Sequence, residues 1–344
     1  RAESEAAGWQ RLKTTLRSYG IWHEDFSSRI TLQLGDLAQP HLGLSATDFT
    51  RMTERIDAIY HNGAWVHHVS PYSLLRATNV VGTREIIRLA CQHHPKPLHF
   101  TSTLSVLPLT PPPGQAKLYE PNSVDRYPVP AGGYNRTKWV AEQLMAQVRD
   151  RHLPVTIYRP GPISGHSQTG VFNPNDFLYR LMQGYVQLGS APQGDMPLDI
   201  LPVDYVSRAI VYLSQRPQSQ SQIFHLIHPQ PASSDGLFAA CRRAGYPIQR
   251  VPYSQWHEQL QAIAQGADDH PLYPLVSLFS SRRESSTPEP QAAELPFDCQ
   301  NTQAGLAHAP FTCPALDESL FATYLKALQK SRALKPPPVP ANSL

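Results

Sequence analysis

The chain has 344 residues, of which 41% are hydrophobic and 17% charged, so it can form one large domain or two ordinary ones. Its formal net charge of +3, without a local cluster of lysine and arginine, excludes the electrostatic footprint of a nucleic-acid-binding protein. No apolar run approaches the roughly 20 residues of a membrane span, and no stretch has the pattern of a signal peptide. We therefore expect neither nucleic acid nor membrane among its partners.

The four cysteines are scattered and lack the C-x-x-C spacing of a zinc site or a disulfide framework. We expect reduced thiols and a cytoplasmic location. The histidine pairs His67-His68 and His93-His94 diverge on either a strand or a helix, which does not suit one metal ion, so we expect no metal.

Strands alternate with helices through the first two thirds of the chain. Hydrophobic periodicity predicts helices over 6–19, from Ser45 as N-cap, over 72–93, around Tyr134, from about 175 and from 204, and strands over 29–37 (turning at Gly35-Asp36), 56–64, 97–106, 154–161 and 198–203. This order predicts an α/β fold with a doubly wound parallel sheet. In such sheets, ligands bind outside the carboxyl ends of the strands.

The pattern changes near Phe224, where helices alternate with long proline- and serine-rich stretches. Helices are predicted over 237–244, 254–265 and 316–329, a mobile polar stretch over 280–291 and a Pro-rich tail over 335–344. We therefore divide the chain into a doubly wound domain (1–222), a smaller, mostly helical subdomain (223–334) and the tail (335–344). Residues 160–200 are expected to contribute partly to the side of the smaller subdomain.

The stretch "GGYNRTKWVAEQL" (132–144) contains Tyr134 and Lys138, four residues apart and therefore on one face of a helix. The ammonium favours the phenolate, so we expect Lys138 to lower the pKa of Tyr134. An isolated Tyr-x-x-x-Lys is usually a surface tyrosine beside a solvated lysine. Functional significance is favoured because small or polar residues punctuate the neighbouring strand ends: Gly35-Asp36, His61-Asn62-Gly63, Ser102-Thr103 and Arg159-Pro160-Gly161.

The chain resembles the extended short-chain dehydrogenase/reductase family, and within it the thioester reductase domains that terminate nonribosomal peptide and polyketide synthetases. Carboxylic acid reductases and aminoadipate reductases carry similar domains. The matching stretches are "GDL" (35–37), "IYHNGAWV" (59–66), "NVVGT" (79–83), "HFTSTLSV" (99–106), "GYNRTKW" (133–139), "YRPGPISG" (158–165) and "FDCQNTQAGL" (297–306). The resemblance implies a Rossmann-like NADP-binding domain and a helical subdomain for substrate and carrier protein.

The sequence departs from the family at its start. The family opens with a strand, a G-x-x-G-x-x-G turn, a helix and a second strand that ends in a basic residue, and none of these precedes Arg1. Because that turn places pyrophosphate at a helix N-terminus, we expect NADPH binding and activity to belong to the intact domain, with this truncated chain alone inactive.

By resemblance, Thr103, Tyr134 and Lys138 form the catalytic triad of a thioester reduction. Tyr134 donates a proton or a strong hydrogen bond to the carbonyl oxygen as the cofactor's hydride attacks carbon. Lys138 assists Tyr134 and binds the nicotinamide ribose, and Thr103 orients the carbonyl. A threonine that satisfies a buried strand end is the alternative for Thr103.

The resemblance also assigns cofactor-binding residues: Arg1 (2′-phosphate), Asp36 and Leu37 (adenine), Asn62, Gly63 and Ala64 (close backbone approach), Asn79, Ser102, Tyr134, Lys138, and Pro160, Gly161, Pro162 and Ile163 beside the nicotinamide. Structural alternatives remain open for several of them: an Asx-turn at Asp36, a tight turn at Asn62–Ala64, a backbone-bonding helix residue at Asn79 and a rigid turn at the prolines. Arg11 is either a second 2′-phosphate ligand or a solvated helix residue.

The function implied is NADPH-dependent release of an acyl or peptidyl thioester, carried on the phosphopantetheine arm of a carrier protein, as an aldehyde or alcohol. The expected partner is a carrier-protein domain upstream in the same polypeptide, with the reductase domain itself monomeric. Two alternatives remain. One is another extended reductase or epimerase acting on a small alcohol, a steroid-like alcohol or a sugar nucleotide. The other is a non-catalytic domain that only docks a carrier protein.

Overall fold

The computed structural model describes residues 2–67, 69–194, 197–266, 270–276, 279 and 296–337. The chain divides into two compact units, each assembled from separate stretches of sequence. Unit 1 comprises Arg1–Pro160, Tyr212–His225 and Pro296–Ala307, and unit 2 comprises Gly161–Val211, Leu226–Leu295 and His308–Leu344.

Short strands and medium-length helices alternate along the described residues. The strands are β1 (Ile59–His61), β2 (Leu98–Thr101), β3 (Val155–Pro160), β4 (Ile163–Ser164), β5 (Ser190–Pro192), β6 (Pro197–Leu198), β7 (Leu201–Pro202), β8 (Ile223–Leu226), β9 (Ala232–Ser233) and β10 (Gln249–Val251). The helices are α1 (Glu5–Ser18), α2 (Ala46–Arg55), α3 (Tyr72–Arg76), α4 (Gly82–Cys91), α5 (Gly133–Arg149), α6 (Phe177–Leu188), α7 (Val203–Ser214), α8 (Ser234–Arg243), α9 (Tyr253–Gly266), α10 (Gln300–Leu306) and α11 (Glu318–Lys330).

The main sheet belongs to unit 1 and has the strand order β1-β2-β3-β8. β2 pairs in parallel with both β1 and β3. Every residue of β3 is buried, as expected for a parallel sheet covered by helices on both faces. Phe100 and Ile157 from the strands pack with Ala141 and Met145 from α5 in one hydrophobic core. The predicted doubly wound α/β architecture is confirmed.

Helix starts in unit 1 follow local capping chemistry. The hydroxyl of Ser45 accepts a hydrogen bond from the backbone N–H of Asp48, which confirms the predicted start of α2. Ser4 caps α1 in the same way, with the N–H of Ala7 as donor.

The strand predicted over 29–37 is wrong, although the turn at Gly35-Asp36 is confirmed. Residues 30–36 carry no strand assignment, whereas the backbone N–H of Asp36 donates to the carbonyl of Leu42 to close the turn. The alternation of apolar and polar residues fits a strand, but a strand also needs a hydrogen-bonded neighbour. Among the described strands, β1 is the edge of the sheet and pairs with β2 alone.

The helix predicted over 72–93 is interrupted by one turn of π-helix over Ala77–Val81, between α3 and α4. The N–H of Gly82 donates to the carbonyl of Ala77, five residues earlier. Turns of this kind are rare and frequently occur at functional sites. Asn79 lies within it.

Unit 2 combines three two-stranded pairings, β10 with β5, β4 with β7 and β6 with β9, with helices. Its core is rich in aromatic residues, including Tyr185, Phe238, Trp256, Phe321 and Tyr324. These side chains come from α6, α8, α9 and α11, so the mostly helical character predicted for the C-terminal region holds for its described part.

The boundary expected at residue 222 separates the chain differently from the two units. Residues 161–211 belong to unit 2, and Pro296–Ala307, which contains "FDCQNTQAGL", belongs to unit 1. Buried Glu120 explains the second assignment, because its carboxylate accepts hydrogen bonds from the N–H groups of His225 and Asn301 and from the hydroxyl of Thr302. A sequence boundary drawn from composition does not reveal such a return of the chain.

The polar stretch predicted over 280–291 lies outside the described residues, as does the part of the predicted tail beyond residue 337. No helix in the described part of the chain is long and apolar enough to cross a membrane. Within the same residues, no group of three His, Cys, Asp or Glu side chains is arranged to hold a metal ion.

Candidate active site

Two glycines determine where α5 begins and how closely it approaches its neighbours. Gly132 precedes the helix with a φ of 82°, a conformation that residues with a side chain rarely adopt. A Cβ on Gly133 would lie 2.2 Å from the carbonyl oxygen of Ser70, so only glycine permits this contact with the start of α3. The "GGY" sequence therefore fixes the position of Tyr134, the next residue.

Lys138 is buried at the carboxyl end of β2. Its side chain is 4% exposed, its Nζ donates a 2.5 Å hydrogen bond to the carbonyl of Thr101, and the ammonium lies 4.1 Å from the centroid of the Phe100 ring. Burial lowers the pKa of Lys138 to about 7, against an opposing effect of the Glu142 carboxylate. The lysine is thus a buried group rather than a solvated surface ammonium.

Tyr134 is half-buried on the same helix, one turn before Lys138. Burial disfavours the phenolate and raises the pKa of Tyr134 to about 12. The expected lowering of this pKa by Lys138 is therefore wrong, because desolvation is the main effect on both groups. A phenol with a raised pKa keeps its proton at neutral pH and is suited to donating a hydrogen bond.

Thr103 lies two residues beyond β2 and is half-buried. Its Oγ1 accepts a hydrogen bond of 3.2 Å from the N–H of Ser105 and caps a short 3₁₀ turn over Leu104–Val106. Because Lys138 bonds Thr101, the segment that carries Thr103 begins beside α5. The structural alternative for Thr103 is therefore visible, and its catalytic role stays a prediction.

Ser102 is buried, and its hydroxyl donates a 2.5 Å hydrogen bond to Oε2 of Glu142. Glu142 also accepts from the buried guanidinium of Arg159, with 2.9 Å between Oε1 and Nε. Neither Glu142 nor Arg159 received a role from the sequence. Two signals were present: a carboxylate four residues beyond Lys138, and an arginine inside the apolar strand "VTIYRP".

Asn79 connects the loop after β1 to α5. Its Oδ1 accepts from the N–H of Trp65 (2.7 Å), and its Nδ2 donates to the carbonyl of Trp65 (3.0 Å) and to Oγ1 of Thr137 (3.0 Å). The side chain is 2% exposed. The backbone-bonding role considered from the sequence is confirmed, although the backbone concerned lies 14 residues away.

The loop that follows β1 presents small residues at the strand end. Asn62 and Gly63 are exposed and Ala64 is half-buried. A Cβ on Gly63 would lie 2.9 Å from Cδ1 of Leu37, so glycine allows the segment after the Gly35-Asp36 turn to pack closely here.

Asp36 and Leu37 line a cavity of about 580 Å³ in unit 1. The exposed side chain of Arg11 lines it too, together with Leu32, Leu34 and Thr78. Asp36 also forms the Asx-turn considered from the sequence, since its Oδ1 accepts a 2.9 Å hydrogen bond from the N–H of Ala38. Arg1, expected at the 2′-phosphate, lies outside the described residues.

The residues expected beside the nicotinamide divide between the two units. Pro160 ends β3 in unit 1, whereas Gly161, Pro162 and Ile163 belong to unit 2. In unit 2, the N–H of Gly161 donates to the carbonyl of Leu226 (2.9 Å), and Ile163 pairs with Leu201.

Comparison with known proteins follows this geometry. The model of an NAD-binding family described as "Male sterility protein" matches residues 1–210. The chain belongs to this family. A male sterility family member with this parallel sheet is an oxidoreductase domain of the extended short-chain type, and its family implies a nicotinamide cofactor.

This family member is 41% identical to the terminal R domain from the myxalamid PKS-NRPS biosynthetic pathway, with a TM-score of 0.88 and coverage of 98% of this chain and 84% of that one. It is 37% identical over 337 residues to a linear gramicidin synthase of Brevibacillus parabrevis, covering 97% of this chain and 6% of that protein. It is 32% identical over 320 residues to L-2-aminoadipate reductase of Saccharomyces cerevisiae, covering 89% and 23%. The chain therefore spans less than a quarter of either curated relative.

Proposed function

We propose that this domain catalyses the NADPH-dependent release of an acyl or peptidyl chain from a carrier-protein thioester as an aldehyde. A second round of reduction to the alcohol is compatible with the same residues. The observation that carries the proposal is the Tyr134–Lys138 face of α5, which Lys138 joins to the carboxyl end of β2. The 41% identity to a terminal R domain supports a carrier-bound thioester as the substrate class.

The residues of unit 1 fit the adenosine end of NADPH. A cavity of about 580 Å³ is within the usual range for small-molecule sites, and it offers a carboxylate, a guanidinium and leucine side chains. We assign Asp36 and Leu37 to the adenine and Arg11, with Arg1, to the 2′-phosphate. The preference for NADPH over NADH rests on these two arginines.

The other end of the cofactor is assigned to the strand ends around α5. Buried Lys138 is the ammonium available for the nicotinamide ribose, and exposed Asn62 and Gly63 offer backbone for close approach. Asn79 positions their loop through Trp65. Ser102, Pro160, Gly161 and Ile163 complete the proposed set, Ser102 through its backbone since its hydroxyl is bonded to Glu142.

A bound nicotinamide supplies reducing equivalents as hydride. Negative charge then develops on the carbonyl oxygen of the thioester, and Tyr134, which keeps its proton at neutral pH, donates that proton to the oxygen. Thr103 orients the same oxygen, and Lys138 supplies positive charge near it. The resulting hemithioacetal breaks its carbon–sulfur bond, releasing the aldehyde and the free thiol. General acid assistance of this kind contributes about 10²–10⁴-fold to a rate.

The proposed partner is a carrier-protein domain whose phosphopantetheine arm presents the thioester, and unit 2 is the proposed subdomain for the acyl chain. The linear gramicidin synthase relative supports a place within a larger synthetase, since the chain matches 6% of that protein. We propose that the domain acts as a monomer in the cytoplasm, where NADPH is available.

The test is thioester turnover by the full-length protein, with NADPH oxidation and free thiol measured together. One thiol per NADPH indicates an aldehyde, and one thiol per two NADPH indicates an alcohol. Tyr134→Phe is expected to reduce turnover by about 10²–10⁴-fold. Tyr60→Phe is the matched control, because Tyr60 is 52% exposed and its hydroxyl bonds Ser214.

Comparable turnover in Tyr134→Phe and the wild type, at equal thermal stability, would contradict the mechanism. NADPH oxidation with a small ketone or a sugar nucleotide, without thiol release, would indicate another extended reductase. Carrier-protein binding without any turnover would indicate a docking domain.

A further inference from the structure

Glu142 lies on α5 one helical turn beyond Lys138 and two turns beyond Tyr134. It is 1% exposed, so its carboxylate must be satisfied within the protein. Oε2 accepts from the hydroxyl of Ser102, and Oε1 accepts from Nε and Nη2 of Arg159. Both oxygens are therefore used, and the function proposed above does not account for this cluster.

Arg159 is completely buried, and its donors are used by several elements of unit 1. In addition to Glu142, its Nη2 donates to the carbonyl of Asn122 (3.0 Å), and its Nη1 contacts Nε2 of His225 (3.0 Å). Nδ1 of His225 donates to the carbonyl of Asp298 (2.7 Å), which leaves Nε2 as the acceptor for the guanidinium. A buried charge pair with all partners satisfied is geometrically defined rather than adaptable.

Two bonds join successive turns of α5 to successive residues at the end of β2. Lys138 bonds the carbonyl of Thr101, and Glu142 bonds the hydroxyl of Ser102, both over 2.5 Å. Thr103 is the next residue along the chain. The helix with the proposed acid and the segment with the proposed orienting threonine are thus held in register by a charged pair of contacts.

We propose that Glu142 is a positioning residue, which fixes the Ser102–Thr103 segment against α5 and maintains the positive charge of Lys138. The inference deepens the proposed function and rests on it only for the consequences on turnover. Glu142 touches neither substrate nor cofactor in this assignment, and it acts through Ser102 and Lys138.

The charged and titratable groups around Lys138 make the sign of the effect clear. Burial and the nearby imidazole of His61 surround the ammonium, Tyr134 shares its helical face, and Glu142 is the carboxylate that favours its charged form. Arg159 is the positive charge paired with Glu142. If Glu142 becomes neutral, Lys138 loses its supporting anion while the charge of Arg159 is no longer compensated, and both changes favour neutral lysine.

The direct test follows the ionisation of Lys138 by NMR of lysine labelled with ¹³C at Cε, with Lys138→Met identifying the resonance. The wild-type midpoint is expected near pH 7. Glu142→Gln should lower it by about one pH unit or more, and Glu142→Asp should leave it nearly unchanged because the charge is retained. Glu85→Gln is the matched control: Glu85 is buried at 5% exposure on α4 and accepts from the N–H of His41.

An unchanged midpoint in Glu142→Gln overturns the inference about charge. This titration needs no substrate, so it stands or fails independently of thioester reduction. If Glu142→Gln does not fold, the midpoint in Glu142→Asp with that in Arg159→Lys provides the same comparison, and a large downward shift in both contradicts the inference.

Ser102→Ala tests the positioning component because it removes one contact without removing a charge. Its expected effect is a decrease in kcat of about 10-fold with KM and the Lys138 midpoint unchanged, since Thr103 is displaced but the ammonium is not. Unaltered kcat in Ser102→Ala, in a protein whose turnover still depends on Tyr134, would overturn the positioning role and leave the proposed function intact.

Discussion

Unit 1 buries Glu142, Arg159 and His225 in one hydrogen-bonded cluster, whereas unit 2 buries the rings of Tyr185 and Trp256 in an aromatic core. In the first region every polar group named is paired. In the second, the hydroxyl of Tyr185 and Nε1 of Trp256 are buried without a hydrogen-bond partner in the described part of the chain. Charge pairs define geometry at a cost in desolvation, while aromatic packing stabilises with less demand on exact placement. The proposed chemistry lies in the region built from charge.

The largest expected effect comes from breaking the charged cluster. Arg159→Met leaves the Glu142 carboxylate buried without its cation and should lower the free energy of unfolding by about 3–5 kcal/mol, measured by urea denaturation. Replacing both partners, as in Arg159→Met with Glu142→Leu, should recover much of the loss, because no unpaired charge remains.

Arg243→Met provides the comparison on the surface. Arg243 pairs with Glu318 over 2.7 Å, but its side chain is 76% exposed, so the expected loss is below about 1 kcal/mol. Equal losses from Arg159→Met and Arg243→Met would show that the buried cluster has no special importance for stability.

A smaller effect is expected from protonating the buried histidine of the same cluster. Burial, reinforced by the Arg159 guanidinium, lowers the pKa of His225 to about 3. A lowered histidine pKa means that the unfolded chain binds more protons, so the stabilising contribution is present above pH 6.5 and is lost as the pH falls towards 3. Between pH 6.5 and pH 5 the loss should be about 2 kcal/mol.

The measurement is the free energy of unfolding as a function of pH in the wild type and in His225→Gln, which cannot titrate. The variant should have the shallower acid slope. His152→Gln serves as the control, since His152 is exposed in the turn after α5. Parallel acid slopes in the wild type and in His225→Gln would contradict the assignment.

The smallest effect compares two tyrosines of unit 2. Tyr185→Phe removes a buried hydroxyl that has no partner among the described residues and should leave the free energy of unfolding unchanged or raise it by up to about 1 kcal/mol. Tyr324→Phe removes a hydroxyl that bonds Oγ of Ser164 (2.8 Å) and the carbonyl of Gly165 (3.0 Å), and should lower it by about 1 kcal/mol. A thermal shift of opposite sign in the two variants supports the contrast between them, and a loss from Tyr185→Phe would indicate a partner for that hydroxyl.

The succession of strands and helices in unit 1 was predictable because it depends on local periodicity. The N-cap at Ser45 and the turn at Gly35-Asp36 follow from the chemistry of single residues. The strand over 29–37 was not predictable in the same way, since its pattern is local but its existence depends on a neighbour elsewhere in the chain. Hydrophobic alternation is therefore necessary for such a strand without being sufficient.

The same distinction applies to the candidate site. The shared helical face of Tyr134 and Lys138 follows from their spacing, and the structure has both on α5. The direction of the tyrosine's pKa was mispredicted because desolvation depends on burial, which a four-residue spacing does not encode. The contact of Ser102 with Glu142 joins residues 40 positions apart, so no local pattern announces it.

The π turn over Ala77–Val81 has a mechanical consequence. Such a turn accommodates one additional residue without changing the rotational phase of the helix on either side, and Leu75 before it and Ile86 after it both face the interior. The additional residue weakens the backbone ladder just where Asn79 reaches both Trp65 and Thr137. Any bending of the long helix at this point would be transmitted at once to the loop after β1 and to the first turn of α5, which makes the turn a natural pivot for coordinated motion of the two.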